Sequence, residues 1–282
     1  MEVENKVSKR NLTPKNSGVN IYNFNYGSYV IENTNKDLYL IDAGTKLIGA
    51  QLTGFISKKF GNRPIKKIFL THYHFNHNGG IAPIINAFGV EDGVYTNGAY
   101  SVQDRSPYDI KDPRAKVEML KAISNNSVNY EYCQSNTEFD EGNIKFKFLA
   151  PLPQYFQNGG TTDNPNGSTG AMILLEYGDF SMIFMGDIYH ESGILEIWEE
   201  HTNDIENVQA VAWPHHGDFG AAKDTVVDPL LKLEIAMIET IGSSVNTINF
   251  LTGKGIDHLW LKSGNYTAMK CYKDGTYDKL TP

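Results

Sequence analysis

Only two cysteines, Cys133 and Cys271, occur in 282 residues. They form no Cys-x-x-Cys pair, and a single pair makes no disulfide framework. The chain therefore reads as a reduced, cytoplasmic protein in which both thiols are structural. Positive charge is also scarce: 25 Lys and Arg stand against 33 Asp and Glu, a formal net charge of −8. That balance argues against a broad basic surface for nucleic acid, though not against a local basic groove. No apolar run approaches the ~18 residues of a membrane span. The opening residues, MEVENKVSKRNLTPKN, contain no apolar core, so neither a secretory signal nor a membrane partner is expected. Internal repeats and linker-like stretches are missing too. With 40% hydrophobic and 21% charged residues, the composition excludes disorder as the main state. The expectation is one domain over residues 1–282, with 1–18 a flexible N-terminus.

What is present is an alternation of strands and helices. Residues 25–34 and 36–43 read as a strand hairpin around a polar turn. From Thr45 to Phe60, apolar residues recur at helical spacing and Gly61 follows as a stop. A strand is expected over 65–71, a helix over 81–88 and another over 113–124. Strands follow at 144–150, 171–177 and 180–185, then a helix over 188–200 and a strand over 208–213. Asp274-Gly275 marks a final hairpin. Residues 157–170, QNGGTTDNPNGSTG, read as a loop within the domain. The sharpest polar clusters each follow a β-rich apolar run: Asp42, His72 to His77, Asp187 and His215-His216. Loops leaving strand ends are where α/β folds collect functional groups.

Three of the eight histidines, His72, His74 and His77, fall within six residues. Neutral imidazole is the commonest metal ligand. A turn after a strand can aim an i, i+2, i+5 trio at one small volume, and Asn78-Gly79-Gly80 lets the backbone wrap tightly behind it. His215-His216-Gly217 follows a second apolar strand and could supply a further ligand. Asp187, after a strand, is either a helix cap or a carboxylate that bridges two metals. Asp42 is placed to orient a histidine ligand. Tyr73, His190 and Lys223 are candidates for contacting substrate, although each also suits an ordinary packing or surface role. His258 reads as structural.

Taken together, LIDAG (40–44), THYHFNHNGG (71–80), the strand ending in Gly186-Asp187 and PHHG (214–217) resemble the metallo-β-lactamase superfamily in order and spacing. LLEYGDFSMIFMGD followed by PHHG, with the closing MKCYKDGTY, looks most like its ComEC/Rec2-like branch. The resemblance covers about residues 20–278. It implies a four-layer αββα sandwich with two divalent metals at one edge, zinc foremost and manganese as the alternative. His72 and His74 would then bind the first metal. Asn76, His77 and His216 would bind the second, Asp187 would bridge, and His215 would lie close by as a ligand or proton-handling group. Asp187, His215 and His216 thus carry the catalytic expectation.

Two features depart from the family pattern. Position 76 is ordinarily Asp in the HxHxDH motif; Asn76 offers a carbonyl oxygen but no charge and no base, so the second site should be weak. The middle histidine of many relatives is missing over 163–171, where the chain reads Ser168-Thr169-Gly170.

With few carboxylates expected around the metals, the site should stay cationic and favour an anionic phosphoester. The leading reading is a phosphodiesterase or nuclease acting through a metal-activated water on a small phosphoester, a nucleotide or nucleic acid. One alternative is a lactone, thioester or β-lactam hydrolase on the same scaffold. Another is a non-catalytic binding protein whose metal site has degraded at Asn76. The oligomeric state is left open.

Overall fold

The computed structural model describes residues 17–97, 113–157, 160–161, 170–188, 190–217, 223–239, 244–261 and 266–281. Residues 1–16, the expected region around Ser168-Thr169 and most of the glycine-rich loop lie outside them.

In chain order the first half contains strands β1 (Val19–Phe24), β2 (Ser28–Glu32), β3 (Leu38–Ile41), β4 (Ile65–Leu70), β5 (Val90–Thr96), β6 (Tyr130–Tyr132), β7 (Glu138–Asp140) and β8 (Lys145–Ala150). Its helices are α1 (Lys46–Phe60), α2 (Phe75–Asn78), α3 (Ile81–Phe88) and α4 (Pro113–Asn125). After a two-residue ribbon, β9 (Phe156–Gln157) with β10 (Gly160–Thr161), come β11 (Met172–Tyr177) and β12 (Phe180–Phe184). Helices α5 (Glu191–Glu200) and α6 (Thr202–Ile205) lead to β13 (Ala210–Ala212), and α7 (Lys223–Val227) to β14 (Ile235–Ile238). Helix α8 (Ser244–Gly253) precedes β15 (Asp257–Trp260), and β16 (Thr267–Cys271) and β17 (Tyr277–Leu280) close the chain.

Two mixed sheets result. One runs β17-β16-β1-β2-β3-β4-β5-β6 and the other β15-β14-β13-β12-β11-β8-β7. Residues alternate between two cores along the central strands. In the first sheet Ile21, Tyr29, Ile31, Tyr39 and Ile41 face inward and meet Phe146, Phe148, Ile173 and Phe184 of the second. Tyr22, Val30, Leu38 and Leu40 face outward, under Ile48, Leu52 and Ile56 of α1, Ile84 of α3 and Met119 of α4. On the far side Leu174, Ile183 and Val211 lie beneath Ile194, Ile197 and Trp198 of α5 and Leu251 of α8. Covering both faces of a sheet turns its central strands into continuous apolar runs. The expected αββα order of layers is therefore present.

Helix α1 starts where Thr45 Oγ1 accepts the amide of Ile48 and stops at Gly61, whose φ is 71°. Its close approach to the histidine loop needs glycine: a Cβ on Gly49 would lie 2.3 Å from the Cα of Gly80. The Gly79-Gly80 pair thus seats the loop against α1. The closing hairpin pairs Cys271 with Tyr277 around Asp274-Gly275, as expected.

Other expectations are corrected. Strands β1, β5, β14 and β15 and helix α8 escape the sequence reading, because their polar interruptions or short length blur the periodicity. The 188–200 helix begins only at Glu191, since Gly186 and Asp187 form a turn after β12. The 208–213 strand shrinks to three residues. The loop after β4 contains the four-residue helix α2.

Parallel pairing explains where the polar clusters fall. β3 runs parallel to β4, and β12, β13 and β14 run parallel to one another. Their C-terminal ends release Asp42, His72 to His77, Asp187, His215-His216 and Glu239 along one edge of the sandwich.

Candidate metal centre

Asp187, in the turn after β12, joins two groups of donor atoms. His72, His74 and Asp187 form one, and His77, Asp187 and His216 the other; within each group the donor atoms lie within 4.8 Å of one another. Asp187 Oδ2 stands 3.5 Å from His72 Nε2, while Oδ1 stands 3.3 Å from His77 Nε2 and 3.5 Å from His216 Nε2. His72 Nε2 and His74 Nδ1 are 2.9 Å apart. The amide of Asn76 lies 2.9 Å from His216 Nε2, so position 76 faces the second group. The i, i+2, i+5 trio is thereby shared between the two groups: the His77 ring centroid lies 4.0 Å from that of His72 and 5.0 Å from that of His216, and its Nε2 belongs to the second group.

Buried carboxylates hold the rings. Asp42 Oδ2 is 2.7 Å from His77 Nδ1. The same carboxylate accepts the Thr71 amide at 2.7 Å and the Thr71 hydroxyl at 2.6 Å. With three donors on two oxygens it is an acceptor only, so His77 Nδ1 carries the hydrogen and Nε2 points at Asp187. Glu239 does the same for His216, with Oε2 3.0 Å from Nδ1. Its Oε1 accepts the Gly27 amide at 2.6 Å. A ring tied down through one nitrogen presents the other in a fixed direction.

The charges agree with this picture. Burial opposes a charge on His77, yet Asp187 and Asp42 outweigh it and raise its pKa to about 10. Burial likewise opposes a charge on His216, and Asp187 and Glu239 raise it. Asp187 resists its own burial and is pulled well below the carboxylate range by His77 and His216. His72 moves the other way, well below the ordinary imidazole, through burial and the proximity of His77 and His74. The His77–Asp187–His216 group therefore favours positive charge, whereas burial and its neighbours oppose a charge on His72. His77 Nε2 and Asp187 Oδ1 are both buried and have no hydrogen-bond partner. Orphaned polar atoms of this kind are costly unless something electropositive satisfies them. A donor set of imidazole nitrogens and carboxylate oxygens with two such orphans fits divalent cations.

His215 stays beside the centre, its ring centroid 5.9 Å from that of His216, and the remaining expected residues fall elsewhere. His215 has φ of 48° and donates its amide to Gly186 O at 2.9 Å, which ties the two loops together, but its ring joins neither donor group. Tyr73 sends its ring into the outer core, where its hydroxyl meets Tyr130 and Lys116 lies over its face; it is only 4% exposed, which leaves it no surface for a substrate. His190 is the exposed residue ahead of α5, and Lys223 begins α7. His258 sits half-buried in β15.

Sequence reasoning missed Glu239. The available signal was the apolar run Ile235–Ile238 ending in an acid, the same pattern that singled out Asp42 and Asp187. The expectation of few carboxylates is corrected accordingly: three buried or nearly buried acids, Asp42, Asp187 and Glu239, surround the donor groups.

The family model for the metallo-beta-lactamase superfamily matches residues 25–234. No curated protein matches the sequence. Among solved structures, a protein from Parabacteroides distasonis assigned as a metal-dependent hydrolase aligns with a TM-score of 0.52 at 10% identity, covering 85% of this chain and 91% of that one. CmlA, a diiron beta-hydroxylase from Streptomyces venezuelae, aligns with a TM-score of 0.56 at 11% identity over 92% of this chain, which spans only 55% of CmlA. A diphosphatase of the PhnP family aligns with a TM-score of 0.46 at 14% identity, covering 82% of this chain and 80% of that one. At such identities the likeness concerns the fold alone.

Proposed function

The chain belongs to the metallo-beta-lactamase superfamily, and on that premise we propose a metal-dependent hydrolase that cleaves a phosphodiester. The observation that carries the reading is the pair of three-donor groups sharing Asp187, with His77 Nε2 and Asp187 Oδ1 buried and unsatisfied between them. Divalent cations held there, zinc first among the candidates, supply a water acidified to a pKa of about 7 and a sink for charge on phosphoryl oxygens.

The protein's own part is positioning. His72 and His74 form one half of the site, and His77, His216 and Asn76 the other. Asp187 spans both, while Asp42 and Glu239 keep the Nε2 lone pairs of His77 and His216 aimed inward. With neutral imidazoles, two divalent cations against Asp187, Asp42 and Glu239 leave a balance of 4 − 3 = +1. An Asp at position 76 would bring that balance to zero. Asn76 thus leaves the site cationic, which suits an anionic diester better than a neutral ester, at the expense of grip on the second cation. The order of the GD and PHHG motifs, like that of the ComEC/Rec2-like branch, supports the same substrate class.

The test is metal analysis of the purified protein followed by assays with bis-p-nitrophenyl phosphate, a lactone and nitrocefin. Turnover of the phosphodiester alone, abolished by His74→Ala, is the expected result. Lactone or nitrocefin turnover would replace the substrate assignment. Protein that stays metal-free and inert after added Zn²⁺ or Mn²⁺ would instead favour a non-catalytic binding protein, the reading that Asn76 keeps open.

A further inference from the structure

A pocket of about 490 Å³ opens on the outer face of the first sheet, between α1 and the strands β1 and β16, and shares no residue with the metal centre. Its floor is aromatic. Phe24 and Phe55 have ring centroids 5.0 Å apart, and Tyr266 closes the triangle at 5.0 Å from Phe55 and 5.6 Å from Phe24. Its rim carries Lys58 and Lys59 from the last turn of α1, and no acidic residue is among the described residues that line it. In a chain of net charge −8, two adjacent cations at the rim of an aromatic pocket are a local reversal of sign. The Lys59 ammonium lies 5.0 Å from the centroid of Tyr22, so its stem follows the aromatic wall.

Gly54 supplies a separate observation. Glycine in mid-helix is disfavoured against alanine because its unfolded backbone is freer. At Gly49 of the same helix a close backbone contact requires it, whereas a Cβ on Gly54 would meet nothing within 4 Å. No contact within the described protein asks for glycine there. What its missing side chain does is leave the pocket open.

We propose that this pocket binds a planar aromatic anion, with the ring system stacked on Phe55 and Tyr266 and the negative group held by Lys58 and Lys59. The volume is that of an ordinary small-molecule site. Stacking tolerates many ring systems because every aromatic has a π-face, so the class is defined by a flat ring and an anionic substituent. The proposal is independent of the hydrolase reading.

The test is a fluorescence titration of the full chain with 8-anilinonaphthalene-1-sulfonate in excess EDTA, which removes any contribution of metal. One saturable site is expected. Gly54→Leu, which fills the pocket, and the double variant Lys58→Glu/Lys59→Glu should each raise Kd at least tenfold. The uncharged analogue N-phenyl-1-naphthylamine should bind wild type at least fivefold more weakly. Both variants alter exposed positions, and cooperative thermal unfolding verifies that they fold. Unchanged affinity in folded Gly54→Leu would overturn the location. Equal binding of the neutral analogue, or an unaltered Kd in the charge-reversed variant, would overturn the anionic class.

Discussion

Glu239 Oε2 lies 3.0 Å from His216 Nδ1, although 23 residues separate them in the chain. The other oxygen of the same carboxylate takes the amide of Gly27 from the opposite sheet at 2.6 Å. One buried acid therefore fixes a donor ring and links the two halves of the sandwich at the site. Glu239→Gln keeps an acceptor for Gly27 but removes the charge facing His216. Loss of such a partner costs about 10–100-fold in metal affinity. Metal titrations followed by mass spectrometry should show the second equivalent weakened by that factor and the first retained. Equal affinity for both equivalents in variant and wild type would remove Glu239 from the site.

Asn76→Asp restores a charged oxygen donor beside His216. It should raise second-site affinity and the phosphodiesterase rate together. Metal stoichiometry at limiting zinc and steady-state kinetics are the measurements. If both stay at wild-type values, position 76 is not a ligand.

Away from the metal centre, Asp204 binds His201 Nδ1 at 2.7 Å and Lys147 at 2.8 Å, while His201 Nε2 reaches the Ser135 hydroxyl at 2.8 Å. This cluster ties the loop before β7 to α6. Burial pushes the Asp204 carboxyl up, but Lys147 and His201 overcome it and hold the pKa below its ordinary 3.8. A carboxyl that is more acidic when folded stabilises the fold above its unfolded pKa, and that contribution vanishes as pH falls through the folded value. Urea midpoints should therefore differ between wild type and Asp204→Asn at pH 7, and converge only once the pH has fallen through the folded value, which lies under 3.8. A gap that persists at low pH would show that packing, and not ionisation, is what Asn replaces.

Two glycines five residues apart on α1, about four-tenths of a turn beyond a full turn, should respond oppositely to alanine. Gly49→Ala forces a methyl to within 2.3 Å of Gly80 Cα, and overpacking of this kind costs about 1–3 kcal/mol. Gly54→Ala meets open space and should stabilise by up to about 1 kcal/mol. Thermal unfolding reads both signs. Gly49→Ala should also loosen the histidine loop, because Gly80 leads directly from it, and this would appear as weaker metal binding.

Much of the site was legible because metal ligation needs particular residue types at short spacings. His72, His74 and His77 announce themselves within six residues. Asp42 and Asp187 stand out where apolar runs stop abruptly. Glu239 obeyed the same rule, but Ile235–Ile238 is only four residues long and has no motif beside it. Tyr73 shows the opposite case, in which packing is the one of its two readings that the ring adopts. Its place between two histidines suggested substrate contact, yet neighbours in an irregular turn point in different directions, and its ring packs under α4.

By itself the sequence made the layers legible through its motifs, since LIDAG, the histidine run, GD and PHHG resemble a family whose fold is an αββα sandwich, while the period-two and period-3.6 patterns marked only which segments form strands and helices. It also determined the donor types, because imidazole and carboxylate chemistry belongs to the residue and not to its surroundings. The resemblance implied the split trio and a bridging Asp187; the tertiary structure supplies the physical cause and adds Glu239 as the partner of His216. The split of the histidine trio between two groups, the sharing of Asp187 and the hold of Glu239 on His216 all depend on parallel strands from two sheets ending at one edge. That convergence joins residues far apart along the chain, and no local pattern encodes it.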